Sequence, residues 1–371
     1  MSTEDEHEDV ESVDIEFEEV SVVGMTPPPS MTQASYESVA AKLRDSRAVP
    51  LGETDPRRVG PYHILFRFKS SAGVHVLLGY RVSPHGVTRP AVVKFVGVDY
   101  LSYKSFREVL IDEARAMSAF NHPNLVSIYD TGEDELGAYI AVEYVPGTDL
   151  LQVMKGLIAQ KRRCPFNMAC QIAVSVLRGL HHAHTATTHA QEPLGIIHRD
   201  VNPPNIFVSN SGHIKLGDFG IVRMHGRMQE KTEPGHVKGK FAYLAPEYIM
   251  HNTCTPRIDT YAVGVTLFEL LAGRYCFQHK HHTQLLKMIV QDGVPADDLR
   301  SLGVPKVLVE IVRKATALDP AARFDTASEM ASALELWLIR DGSYVSPALF
   351  RNFLAQRPYS VDGMANELTF L

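Results

Sequence analysis

The stretch from Ile197 to Gly220 constrains this chain more than any other. It reads Ile197-His198-Arg199-Asp200-Val201-Asn202-Pro203-Pro204-Asn205-Ile206-Phe207, then a short hydrophobic run, then Lys215-Leu216-Gly217-Asp218-Phe219-Gly220. A hairpin joining the two blocks brings two carboxylates and a carboxamide together. Asp200 is placed to receive a proton from a substrate hydroxyl. Asn205 and Asp218 offer hard oxygen ligands, which suit Mg²⁺ bound to phosphates.

Length and composition set the frame. With 371 residues the chain has room for one bilobal domain or two small ones. Its 45% hydrophobic and 22% charged residues are those of a soluble globular protein. The formal net charge of -6 comes largely from the N-terminus, which argues against a nucleic-acid surface. Cys164, Cys170, Cys254 and Cys276 lack a metal-ligand spacing and read as free thiols in a reducing compartment. No apolar run approaches the ~20 residues of a membrane span. The acidic N-terminus is unlike a secretory signal, so a cytoplasmic protein is expected.

Residues 1–57 read as an acidic, disordered tail, with a docking or autoregulatory arm as the sharper alternative. Its opening block runs from Glu4 to Glu19, Pro27-Pro28-Pro29 breaks any helix, and Ser35 to Arg47 can form one short helix. Alternating apolar residues at Tyr62–Phe66, Val74–Gly79 and Ala91–Phe95 predict an antiparallel meander. Tyr103 to Phe120 has helical periodicity and stops before Pro123. Two more strands are expected at Leu125–Tyr129 and Ala138–Tyr144, with a hinge at Pro146-Gly147. Beyond it the pattern turns helical: Asn167–His184 is amphipathic, and Asp259–Ala272 is apolar all round and expected to be buried. Shorter helices are expected at Thr283–Gln291, Pro305–Ala317 and Thr326–Ile339, and residues 339–371 read as a C-terminal tail.

His198-Arg199-Asp200, Asn205 and Asp218-Phe219-Gly220, in this order and spacing, resemble the catalytic and metal-binding loops of the protein kinases, in particular the bacterial eukaryotic-like Ser/Thr branch. The resemblance covers roughly residues 60–338. It implies an α+β bilobal fold over residues 58–338. The small five-stranded lobe with one helix would run to about 145 and the mainly helical lobe from 146, with ATP and Mg²⁺ in the cleft. Asp200 would orient and deprotonate a protein Ser or Thr hydroxyl, with Asn205 and Asp218 as metal ligands. Lys94, in Ala91-Val92-Val93-Lys94, would hold the nucleotide phosphates and pair with Glu113, with Asp112 as the nearest competitor. Val76 and Ala91 would form the ceiling over adenine and Phe207 its floor. Glu143 and Val145 would lie on the hinge, and Asp149 would meet the ribose. Ser71, Ala72 and Gly73 occupy the phosphate loop. Glu247 would pair with Arg323, and Asp259 would brace the backbone at His198 and Arg199.

Two departures matter. The phosphate loop lacks the family's glycines: Lys69, Ser71 and Val74 stand in their places and Gly73 is one position off, so tight wrapping of the phosphates is doubtful. Asn202 stands where active Ser/Thr kinases carry Lys, and Lys240, in Gly239-Lys240-Phe241-Ala242-Tyr243, stands where they carry Thr. An exchange is expected in which Lys240 supplies the missing cation to Asp200 and the γ-phosphate while Asn202 takes the neutral role. Thr232 is the one Ser or Thr between Gly220 and Ala245, with Arg199 and Arg223 as possible receivers of a phosphate there. Two other classes stay open: a pseudokinase that binds nucleotide or scaffolds a partner, and a small-molecule phosphotransferase of similar fold. Expected partners are protein substrates and an upstream activator that engages the acidic N-terminal region.

Overall fold

A computed structural model describes residues 38–39, 43, 47–71, 74–97, 114, 118, 120–188, 190–219, 241–279, 281–341 and 345–355. In the first lobe five long strands form the expected antiparallel sheet: β3 (Tyr62–Ser71), β4 (Val74–Val82), β5 (Thr88–Gly97), β6 (Ile128–Asp134) and β7 (Gly137–Glu143). Two short strands, β1 (Val49–Pro50) and β2 (Arg58–Val59), pair with β3, and the order is β1-β3-β4-β5-β7-β6. Side-chain alternation splits the sheet into two faces. Val76 lies opposite Lys94 and Leu78 opposite Val92, so these four share a face. Ala91, Val93 and Phe95 project the other way, into a core with Leu77, Ile64, Tyr62 and Tyr139. Leu125, expected in a strand, instead bridges Leu216 across the lobes, and β6 begins at Ile128. Of the helix expected over 103–120, Ala114 and Ser118 are helical and Ala114 is buried; the rest lies outside the described residues.

The hinge requires a glycine. Gly147 has φ of 150°, and a Cβ there would meet the Val208 carbonyl oxygen at 2.2 Å. That approach lets β8 (Gly147–Asp149) pair with β9 (Ile206–Ser209), which pairs with β10 (Ile214–Leu216). Phe207 is thereby set opposite Asp149, directly after the hinge.

The second lobe packs α1 (Leu150–Ala159), α2 (Phe166–His184), α3 (Pro246–His251), α4 (Arg257–Ala272), α5 (Lys306–Ala315) and α6 (Ala327–Arg340) around one core. In α4 every residue from Ile258 to Ala272 is buried, as an all-round apolar pattern demands. Thr326 caps α6 by accepting the Glu329 N–H at 3.1 Å. Glu247, at the start of α3, receives two parallel bonds of 2.8 Å from the buried Arg323 guanidinium. Arg323→Ala would strand the Glu247 carboxylate in the interior. It should cost about 3–5 kcal/mol of unfolding free energy, read by chemical denaturation.

Both expected boundaries shift. Before residue 58, Val49 and Pro50 extend the sheet, and the buried Asp55 receives the Gly52 N–H at 2.7 Å and pairs with Arg67 at 3.0 Å. Residues 47–57 therefore belong to the first lobe. At the other end α7 (Pro347–Ala355) seats Phe350 in the second-lobe core beside Val345. A Cβ on Gly212 (φ 85°) would come within 2.0 Å of the Pro347 oxygen, so that glycine makes room for the docked helix. The C-terminal stretch expected as a tail is thus partly built into the lobe.

Candidate active site

The catalytic hairpin hangs from α4. Asp259 accepts the backbone N–H groups of His198 and Arg199, each at 2.8 Å, and His184 Nε2 at 2.8 Å. Arg199 (φ 65°) and Asp218 (φ 57°) both hold the left-handed backbone that side chains disfavour, a strain that the anchored loop sustains. His198 joins the two blocks: its Nδ1 accepts the Asp200 N–H at 3.3 Å and its Nε2 donates to the Gly217 carbonyl at 3.1 Å. Complete burial lowers the basicity of this imidazole. Phe219 packs against it at a tilt, with ring centroids 4.3 Å apart.

Two carboxamides orient Asp200. Asn202 Nδ2 donates to its Oδ1 at 3.0 Å and to its carbonyl at 2.9 Å. Asn205 Nδ2 donates to its Oδ2 at 3.1 Å and to the same carbonyl at 2.7 Å. With the amide nitrogen of Asn205 committed to Asp200, its carbonyl oxygen is the atom suited to a cation. Asn202 Oδ1 is buried and has no hydrogen-bond partner among the described residues. Lys94 Nζ reaches Asp218 Oδ1 at 2.9 Å, which puts the strand ammonium and the second carboxylate together in the cleft. The hard oxygens of Asn205 and Asp218, with an ammonium alongside, form a donor set that fits a phosphate-bound divalent cation. Glu113, Lys240, Thr232, Arg223, Ala72 and Gly73 lie outside the described residues.

Among the residues expected around the nucleotide, the sheet register corrects one. Val76 lies on the Lys94 face, but Ala91 does not: it is fully buried in the core on the opposite side of the sheet. Val92, two residues before Lys94, takes the ceiling position. Counting back in twos from Lys94 reaches Val92 from sequence alone. Ser71 and Val74 are paired across the β3–β4 hairpin, which leaves a two-residue connection where the family's glycine loop stands. Phe207 lies opposite Asp149 on β9, and Val145, just before Pro146-Gly147, is buried. Glu143 is tied by Lys215 at 2.9 Å, leaving its backbone in the β5 ladder. Asp149 caps α1, accepting the Gln152 N–H at 3.0 Å; burial raises its pKa, partly offset by that bond and by Arg47.

Beyond the cleft, Tyr243 donates to Glu269 Oε2 at 2.8 Å and Cys276 N–H to Oε1 at 3.0 Å. Burial pushes the Glu269 carboxyl up to about 7. Below the ordinary carboxylate range both folded and unfolded chains hold this proton. As pH rises toward about 7 the unfolded chain has released it while the folded one retains it, so stability falls across that window and then levels. The loss is on the order of 3 kcal/mol. Glu269→Gln should flatten the dependence of melting temperature on pH between 5 and 8, flags for which are differential scanning traces at about four pH values.

Residues 80–333, more than half of the chain, match the family model described as the protein kinase domain. The tyrosine-protein kinase MasK of Myxococcus xanthus is 32% identical, with 75% of this chain and 43% of that protein covered. The serine/threonine-protein kinase PrkC of Bacillus subtilis is 33% identical (65% and 35% covered), and PknL of Mycobacterium tuberculosis is 33% identical (69% and 61%). The crystal structure of the Mycobacterium tuberculosis PknI kinase domain is similar in fold, with a TM-score of 0.53 at 24% identity, covering 78% of this chain and 99% of that one. The chain spans less than two thirds of each of these curated relatives. It belongs to the protein kinase domain family. Membership implies ATP, a divalent cation and protein substrates in general. No helix among the described residues is long and apolar enough to cross a membrane.

Proposed function

We propose that this chain is a serine/threonine protein kinase that transfers the γ-phosphate of ATP to protein hydroxyls and phosphorylates itself. The observation that carries the reading is the Asp200 carboxylate, steered by Asn202 and Asn205 within the hairpin that also brings Asp218 to Lys94. Asp200 accepts the hydroxyl proton as the oxygen attacks. Asn205 and Asp218 would hold Mg²⁺, which when bound neutralises phosphate charge. Lys94 holds the nucleotide phosphates, steadied by Glu113. Positioning and charge neutralisation do most of the work in phosphoryl transfer.

Lys240 supplies the cation that Asn202 does not. Two observations support this: the Asn202 amide already plays the neutral partner to Asp200, and its buried Oδ1 offers an acceptor to an incoming donor. Thr232 is the activation-segment hydroxyl open to phosphorylation, and the acidic N-terminal block is the docking element for an upstream activator. A cytoplasmic setting fits the composition.

The test is incubation of the purified full chain with labelled ATP, Mg²⁺ and a generic protein substrate, followed by phosphoamino-acid analysis. Phosphoserine or phosphothreonine is the expected product. Phosphotyrosine would move the chain toward the specificity named for MasK. No label, with ATP still raising the melting temperature, would favour a pseudokinase or an enzyme waiting for its activator.

A further inference from the structure

Leu43 and Arg47, ahead of the first strand, pack against residues that the kinase reading places around adenine. Leu43 is buried against Leu65, Leu78 and Tyr80, with Val39, Phe68 and Tyr144 around it. Leu78 is on the Lys94 face of the sheet, so this anchor sits on the cleft side. Four residues on, Arg47 Nη2 donates to the Val145 carbonyl of the hinge at 3.3 Å. Its guanidinium carbon lies 5.5 Å from the centroid of the Phe68 ring and 5.8 Å from that of Phe207, the expected floor. The segment is then pinned again: Val49 and Pro50 pair with Arg67 and Phe66, and Asp55 pairs with Arg67.

A guanidinium is planar, stacks on aromatic faces and donates hydrogen bonds in its own plane. A purine base uses those same properties against a hinge carbonyl and an aromatic floor. The Arg47 charge also acts on Asp149, the carboxylate expected to meet the ribose. One side chain thus engages the hinge carbonyl and the aromatic floor together.

We propose that Val39, Leu43 and residues 47–55 are the docked points of a strap whose Arg47 competes with the adenine base, holding the kinase in a nucleotide-excluded state until the strap lifts. This rests on the kinase reading above. A docked strap lowers apparent nucleotide affinity by the fraction of time the slot is open, so release should tighten binding about 10- to 100-fold.

The experiment measures adenosine and ATP affinity of the full chain by calorimetry for wild type, Arg47→Ala and Leu43→Asp. Adenosine isolates the base slot from the glycine-poor phosphate loop. Leu43→Asp keeps Arg47 and removes only the apolar anchor, which guards against a folding defect in the other variant. Both variants should bind adenosine about tenfold or more tightly, their gains should not add in the double variant, and KM for ATP should fall with kcat unchanged. Unchanged or weaker adenosine binding in the folded variants, with wild type binding ATP, overturns the strap and leaves the kinase reading standing. No nucleotide binding by any of the proteins overturns both.

Discussion

Asp200→Asn should lower turnover by about 10²–10⁴-fold while leaving ATP affinity within a factor of two or three. The substitution keeps the shape of the side chain and removes its ability to take a proton. It also turns one of the two amide donors, Asn202 or Asn205, against an NH₂ group instead of a carboxylate oxygen. Steady-state kinetics with a peptide or protein substrate, beside calorimetric ATP binding, separates the two quantities. A turnover loss below about tenfold would mean that Asp200 positions nothing essential and that another group handles the proton. The loop should stay folded, because its main anchors run from Asp259 to the backbone of His198 and Arg199 rather than through the Asp200 carboxylate.

Lys240→Ala should cost about 10²–10³ in kcat, because a cation aimed at developing charge in a phosphoryl-transfer transition state contributes several kcal/mol. Nucleotide affinity should hardly move. The informative companion is the double exchange Lys240→Thr with Asn202→Lys, which returns both positions to the arrangement usual in the family. If the two positions trade roles, the double exchange recovers much of the activity that Lys240→Thr alone loses. A mild effect of Lys240→Ala on turnover would sink the exchange and leave Lys240 as an ordinary lysine of the activation segment. Rescue separates this from simple unfolding, since a second substitution beside a damaged loop would otherwise only add harm.

The strap and the degenerate phosphate loop bear on the same equilibrium from opposite ends of the nucleotide. The β3–β4 hairpin has a two-residue connection between Ser71 and Val74 rather than the family's glycine-rich turn. A loop that wraps the phosphates weakly would place more of the binding free energy on the base slot, and a side chain that competes there would have greater leverage than in a tightly wrapping relative. Together they describe a kinase whose idle state is set by access to ATP.

Sequence by itself determined the class of molecule. The order His198-Arg199-Asp200, Asn205, Asp218 and the Val93-Lys94 strand segment are short-range patterns whose chemistry depends on residue type and spacing, and spacing survives folding unchanged. The buried helix Arg257–Ala272 was legible for a related reason: a segment apolar on every side has nowhere to go but the centre. Ala91 shows how a local rule is misapplied, because period-two alternation from Lys94 selects Val92 for the slot and sends Ala91 to the opposite core. Only the tertiary structure decided the rest. That Asn202 would turn its amide onto Asp200, that Lys94 would lie 2.9 Å from Asp218, and that Arg47 would cross 98 positions of sequence to reach the Val145 carbonyl are outcomes of long-range packing. Each depends on which surfaces meet once the core has closed, and the acidic, proline-broken composition ahead of Arg47 allows an autoregulatory arm without saying where it docks. Composition sets the cost of ordering such a segment, but the aromatic slot and hinge carbonyl that offset it exist only in the folded protein.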